Sequence, residues 1–328
     1  MGWWQVNADT LARGRFVVSP LAEATASLLT LERATAAHPG ERAWLDAHLA
    51  AYRVRRAEDP LVPQLIQAAA ARHWIPEFIT IAPTGDGTPE FADELAEVRG
   101  MSDAAAAAEL ARVMSGSPYA SHVTTPGLQQ RAADLLDWVW THTVATSWPR
   151  RRGIIEADIV ARTTKLGQGG WAAALADMRP GLRWLGEGRL QINAYGNPPR
   201  KISGAELFFV PVTPQAGWVA WDEPRRYAVM YPCSGTLIYP GSRACAPETL
   251  AALLGPARAA ILALLDTPKS TTQLVTLTGQ GLGSVGRHLK ILWDAGLLHR
   301  RRAGRSVLYY RSEAGDLLVS VQNDGIRS

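Results

Sequence analysis

Gly283-Ser284-Val285-Gly286-Arg287-His288-Leu289-Lys290-Ile291-Leu292, continued by Trp293-Asp294-Ala295-Gly296-Leu297, decides how the C-terminal part of this 328-residue chain folds. Val285, Leu289 and Leu292 recur at i, i+4 and i+7, the spacing of one buried stripe on an α-helix. A helix beginning at Leu282 or Gly283 is predicted to run to Asp294, with Gly296 as its stop. Turning the stripe inward leaves Ser284, Arg287, Lys290 and Ile291 on the opposite side. That face is basic, polar and about as wide as a DNA major groove accepts.

The flanking residues extend the pattern. A helix is expected from Gly255 to Asp266, and Ser270-Thr271-Thr272-Gln273 has the spacing of a capping box opening a second helix through Thr278. On the other side, Leu297 to Arg302, a tight Ala303-Gly304 turn and Arg305 to Arg311 predict a β-hairpin carrying Arg300, Arg301, Arg302 and Arg305. Charge divides the same way. Residues 256–328 hold 10 Lys and Arg against 5 Asp and Glu, net +5, leaving net −1 for residues 1–255. Clustered cations attract phosphates at long range, so an anionic partner is expected for the last segment.

In order, Gly255-Pro256-Ala257-Arg258, Ser270 to Leu274, Gly283 to Leu292, Asp294-Ala295-Gly296-Leu297-Leu298 and Arg301 to Tyr309 resemble the winged helix of ArsR-type bacterial transcription regulators. Phe16-Val17-Val18-Ser19-Pro20-Leu21, Trp74-Ile75-Pro76-Glu77-Phe78 and Tyr231-Pro232-Cys233-Ser234-Gly235 resemble an uncharacterised domain fused to such winged helices in actinobacterial regulators. The resemblance implies a homodimeric, sequence-specific regulator, a repressor or an activator, that binds a double-stranded operator. It implies DNA contacts at Thr271, Gly283, Ser284, Arg287, His288 and Lys290, with the wing, about 299–311, adding Arg300, Arg301, Arg302 and Arg305. It also implies a dimer-contacting role for a short helix from Glu313 to Val321. Gly281 and Gly286 stand where the family commonly carries serine, and each glycine costs about 1 kcal/mol inside a helix relative to alanine. Lost hydroxyls shift affinity toward the wing arginines and dimerisation. Neither helix of the turn contains the cysteine pair of the metal-sensing branch, so arsenic or zinc sensing there is not expected.

The rest of the chain changes texture partway. Ser19 is a candidate N-cap with Pro20 at the first helical position. Further helices are predicted at Trp44 to Arg56, Leu61 to Trp74, Glu90 to Arg99, Asp103 to Met114, Leu128 to Trp148, Glu156 to Leu166 and Trp171 to Met178. β-branched and aromatic runs then predict strands at Arg189 to Asn193, Glu206 to Val212, Tyr227 to Tyr231 and Thr236 to Tyr239. The expected fold class is α+β, a mainly helical N-terminal domain with a small antiparallel sheet, residues 1–246, followed by a winged helix-turn-helix domain, residues 247–328.

Composition narrows the function classes. Hydrophobic residues make up 47% and charged residues 20%, enough apolar surface to offset ordering entropy, so global disorder is excluded. No apolar run approaches the roughly 18 residues a bilayer crossing needs. With only Cys233 and Cys245, the chain has no disulfide scaffold or four-thiolate zinc site, and a cytoplasmic location without membrane attachment is expected. No metal or cofactor is expected. Gly281, Gly283 and Gly286 spell G-x-G-x-x-G, but after a helix rather than a strand, which argues against a dinucleotide cradle. The pattern Gly167 to Ala172 likewise follows a helix and reads as a turn.

Eleven of the 12 tryptophans precede residue 255. Trp74, Trp138, Trp140, Trp171 and Trp184 are candidates to line a pocket for a small aromatic or apolar effector; Trp138 and Trp148 also fit a helical core beside Leu135 and Val139. Two other classes share these residues: an enzyme acting on a small molecule with an appended winged helix, and a winged helix used for protein docking. No nucleophile–base or metal constellation supports the enzyme, and no catalytic residues are assigned.

Overall fold

In a computed structural model, the structure describes residues 2–37, 39–71, 73–85, 87, 89–114, 125–176, 178–195, 198–233, 248–265, 268–278, 280–303 and 306–324. The chain divides into two compact units, Met1–Pro149 with Lys165–Cys233, and Arg150–Thr164 with Ser234–Ser328. Residues 150–164, assigned to the N-terminal domain by the sequence reading, therefore group with the C-terminal unit. The architecture is mixed α and β with small sheets, and no described helix is long and apolar enough to cross a membrane.

The first unit opens with β1 (Gly2–Gln5), α1 (Ala8–Ala12) and β2 (Arg15–Phe16), then runs through α2 (Pro20–Arg33), α3 (Pro39–Glu58), α4 (Leu61–Ala70), α5 (Phe91–Arg99), α6 (Asp103–Met114) and α7 (Leu128–Val139). Ser19 caps α2 as its sequence predicts, accepting from Ala22 N–H with Pro20 in the first turn. Every residue from Pro20 to Leu31 is buried, which makes α2 a central helix. Its polar side chains are satisfied by other segments: Glu23 accepts from Thr213 N–H at 2.8 Å, and Thr25 donates to the Ile79 carbonyl at 2.8 Å. The single helix expected from Leu128 to Trp148 instead passes through a π-helical stretch, Trp140–Val144, and a 3-10 turn, Ala145–Ser147. It then enters α8 (Trp148–Leu175), which is kinked at Gly169 and Gly170.

β3 (Arg183–Trp184), β4 (Arg189–Asn193), β5 (Arg200–Lys201), β6 (Glu206–Val212), β7 (Trp218–Asp222) and β8 (Arg226–Pro232) follow. They form two four-stranded sheets, ordered β3-β4-β1-β5 and β2-β6-β8-β7. The expected small antiparallel sheet is thus corrected to two mixed sheets, because β1 pairs with β5, β2 with β6 and β6 with β8 in parallel. The physical reason lies in β6, where Leu207 to Val212 are all buried, as suits a strand covered on both faces. One apolar cluster joins Trp4, Leu190 and Ile192 of the first sheet to Leu207, Phe209 and Val229 of the second, with Leu175, Met178 and Leu182. The strand expected at Thr236 to Tyr239 lies outside the described residues.

The second unit adds to residues 150–164 the elements α9 (Glu248–Leu254), α10 (Pro256–Leu264), β9 (Lys269–Ser270), α11 (Thr271–Thr278), α12 (Leu282–Asp294), β10 (Leu298–Ala303), β11 (Ser306–Arg311) and α13 (Glu313–Asp324). Ser270 and Gln273 form the reciprocal capping box: Ser270 N–H donates to Gln273 Oε1 at 2.6 Å, and Gln273 N–H to Ser270 Oγ at 3.2 Å. α12 ends at Gly296, whose φ of 73° is left-handed, and Leu297 N–H returns to the Leu292 carbonyl at 3.0 Å. β10 and β11 pair antiparallel, and β11 also pairs with β9. Ile261, Leu262, Leu274, Val285, Leu289, Leu292 and Leu298 share this unit's core.

Candidate functional site

The buried stripe of α12 sets what its other face can do. Val285, Leu289 and Leu292 are at most 1% exposed. At 3.6 residues per turn, Gly283, Ser284, Lys290, Ile291 and Asp294 all fall within about 60° of Arg287, with the stripe about 140–160° away. Gly283, Arg287 and Lys290 are exposed accordingly, and the space where a Cβ would stand at Gly281, Gly283 and Gly286 is open. Arg287 makes no ion pair among the described residues, whereas Lys290 Nζ lies 2.9 Å from Asp294 on the same face.

Not every candidate is equally presented. Ser284 is half-buried, and its hydroxyl donates to Gln280 Oε1 at 3.1 Å, so it stiffens the entry to α12. Thr271 is half-buried at the start of α11. His288 is half-buried too, with a buried Nδ1 that has no partner. Burial holds the His288 pKa below its usual value, and the Arg258 and Arg287 charges add to the effect.

Hairpin β10–β11 supplies Arg300, Arg301 and Arg302, all exposed; Arg305 lies outside the described residues. Arg300 sits over the Trp293 ring with its guanidinium carbon 3.9 Å from the ring centre, which ties the hairpin to the last turn of α12. Arg301 donates to Thr164 Oγ1 at 2.7 Å, within the same unit. Trp293, Gln280 and Thr164 are the residues that sequence reasoning missed here. Trp293 and Arg300 lie on different elements, and no local pattern pairs them. Arg287, Lys290, Arg300, Arg301 and Arg302 are all exposed, and such a set of cations on one unit favours a polyanion.

The first unit holds a cavity of about 540 Å³. Of the five tryptophans expected to line a pocket, Trp74 does so, joined by Trp4, Trp218 and Trp221. The other four are absent from its described lining and make ring or apolar contacts elsewhere. Trp138 stacks on His142 with ring centres 4.7 Å apart, and Trp140 stacks on Phe91 at 4.4 Å. Trp171 packs on Phe209 at 5.0 Å, and Trp184 lies against the apolar cluster between the sheets. Trp4 escaped the sequence reading because β1 becomes a strand only by pairing with β4, nearly the whole unit away in sequence. Cys233 is a buried thiol, and Cys245 lies outside the described residues. Comparison with protein-family models, curated proteins and solved structures finds no match to this chain.

Proposed function

We propose that the second unit is a winged helix-turn-helix that binds double-stranded DNA, and that the chain is a homodimeric transcription repressor of the ArsR type. One observation carries this reading: α12 commits its apolar stripe to the core while Arg287 and Lys290, with Arg300, Arg301 and Arg302 on the hairpin, remain at the surface. On this reading α12 enters the major groove, Arg287 reads a base edge, and the hairpin arginines hold phosphates. Leu317 of α13 is 63% exposed in the single chain, which suits a dimer contact. The protein then works in the cytoplasm, and a small molecule bound in the first unit switches it by altering the spacing of paired half-sites.

The test is fluorescence anisotropy on duplexes selected from a random pool, against scrambled controls. Four phosphate contacts per protomer, from Lys290, Arg300, Arg301 and Arg302, make eight for the dimer and give a log affinity falling with log salt at a slope of about −7. Arg287→Ala is expected to lose about 1–3 kcal/mol on the selected duplex only, while Arg302→Ala weakens both duplexes alike. Equal losses for Arg287→Ala on the two duplexes overturn its assignment as a base reader. A second reading, protein docking, draws on Leu282, Ile291, Trp293 and Val307, which are 37–63% exposed. It predicts no DNA binding at low salt.

A further inference from the structure

The polar groups of the first unit's cavity are unevenly satisfied. Trp74 Nε1 donates to Glu109 Oε1 at 2.8 Å, and Trp218 Nε1 donates to Thr80 Oγ1 at 2.6 Å. Trp4 lines the same cavity, is fully buried, and its Nε1–H has no acceptor. Arg179 also lines it. One terminal nitrogen of its guanidinium donates to the Ile192 carbonyl, while Nε is buried and without an acceptor. No carboxylate among the described residues pairs with this cation. Burial pushes its pKa down to about 10, with the Tyr195 phenol as the opposing influence.

The other charges along the wall are already engaged. Arg200 stacks over Trp221 at 4.2 Å and pairs with Glu223, and Arg33 donates to the carbonyls of Leu29 and Gln215. Glu32 accepts from the Tyr52 hydroxyl and faces Arg56 at 3.4 Å. A buried donor left unpaired costs about 1–3 kcal/mol, and a buried cation without a counter-charge costs more. Both orphaned atoms are sealed from solvent, so it is the charge of the Arg179 guanidinium, without a carboxylate partner among the described residues and beside a cavity walled by four indoles, that calls for an occupant with a negative charge. Its remainder must be flat and apolar, since the tryptophan faces offer dispersion and little else. A cavity of this size lies within the usual range of about 300–1,000 Å³ for small-molecule sites.

We infer that this cavity is a binding site for an aromatic monocarboxylate, with the Arg179 guanidinium taking the carboxylate and Trp74, Trp218 and Trp221 enclosing the ring. Guanidinium binds carboxylate through a charge-assisted hydrogen bond. A single cation without a carboxylate partner among the described residues, with Glu32 and Glu77 in the same wall, selects one negative charge over a phosphate dianion. This assignment holds whether or not the second unit reads DNA.

The experiment is isothermal titration of the full chain with phenylacetate, indole-3-acetate and 2-naphthoate, each against its primary amide. At least one acid is expected to bind at least about tenfold tighter than its amide, since one charge-assisted hydrogen bond is worth about that factor. Arg179→Met should abolish the preference for acid over amide. Arg179→Lys keeps the charge and should retain part of it. Should Arg179→Met fail to fold, the acid–amide comparison on the natural chain and the Arg179→Lys variant still decide. Absence of binding for all three acids at millimolar concentration overturns the proposal. Equal binding of acid and amide, or acid binding unchanged in every Arg179 variant that folds, does the same.

Discussion

Arg287 and Lys290 stand on one face of α12 but are not equivalent. Lys290 shares its charge with Asp294 one turn on, in an exposed pair with Nζ 2.9 Å from the carboxylate. Such pairs contribute about 0–1 kcal/mol to stability, so Asp294 is dispensable to the fold. On a face that meets phosphates it is a repulsive charge as well as a competitor for Lys290. Asp294→Asn is therefore expected to tighten DNA binding severalfold on selected and scrambled duplexes alike, read by anisotropy at about 0.1 M salt, where the Debye length is near 10 Å. An unchanged or weaker affinity would remove α12's outer face from the interface. The i, i+4 spacing of this pair is legible in the sequence. The stacking of Arg300 on Trp293 is not, because it depends on where β10 returns after the turn at Gly296.

Among the elements, α2 shows how a local signal and a distant partner combine. Ser19-Pro20 marks its start, yet Ser19 Oγ and Leu21 N–H both donate to Glu94 of α5, at 3.0 and 2.8 Å. Glu94 is 5% exposed, and burial pushes its pKa up to about 7, with Glu97 and Asp93 adding to the rise against those two hydrogen bonds. Its other oxygen has no partner. A carboxyl whose folded pKa exceeds its unfolded value favours the folded state in its protonated form. Stability from this group is full below about pH 4.5 and is lost as pH rises toward 7, up to about 3 kcal/mol. Glu94→Gln keeps an acceptor for Leu21 N–H without a charge to bury. Relative to the natural chain it should therefore gain melting temperature from pH 5 to pH 8; a difference that stays flat with pH shows that Glu94 is ionised in the fold throughout.

The same contrast between local and distant signals explains which elements the sequence discloses. α11, α12, β4 and β6 are legible because capping, periodicity or a continuous apolar run lies within each segment. β1 and β2 are not, since Trp4 and Phe16 acquire strand structure from Leu190 and Phe209, far along the chain. β7 is a short edge strand whose pairing comes from β8 alone. The cavity follows the same rule: Trp74 could be named from composition, while Arg179 enters its lining only once the Ile192 carbonyl holds it there.

At the scale of the whole molecule, each unit has its own core and the aromatic residues are divided unequally. The cluster around Trp4, Phe209 and Val229 draws only on the first unit, and that around Leu262, Leu289 and Leu292 only on the second. Trp293 is the second unit's single tryptophan, and the other 11 lie in the first. Tryptophan fluorescence therefore follows the first unit, while far-ultraviolet circular dichroism follows the helices of both. Leu289 is fully buried, and Leu289→Ala removes core volume at a cost of about 2–5 kcal/mol. In urea this variant is expected to shift part of the dichroism curve to lower denaturant and leave the fluorescence midpoint in place. It should bind DNA poorly and still bind an aromatic carboxylate with natural affinity, because the site at Arg179 draws on none of the second core. If both probes move together, the two cores unfold as one cooperative block and a lesion in the second reaches the cavity.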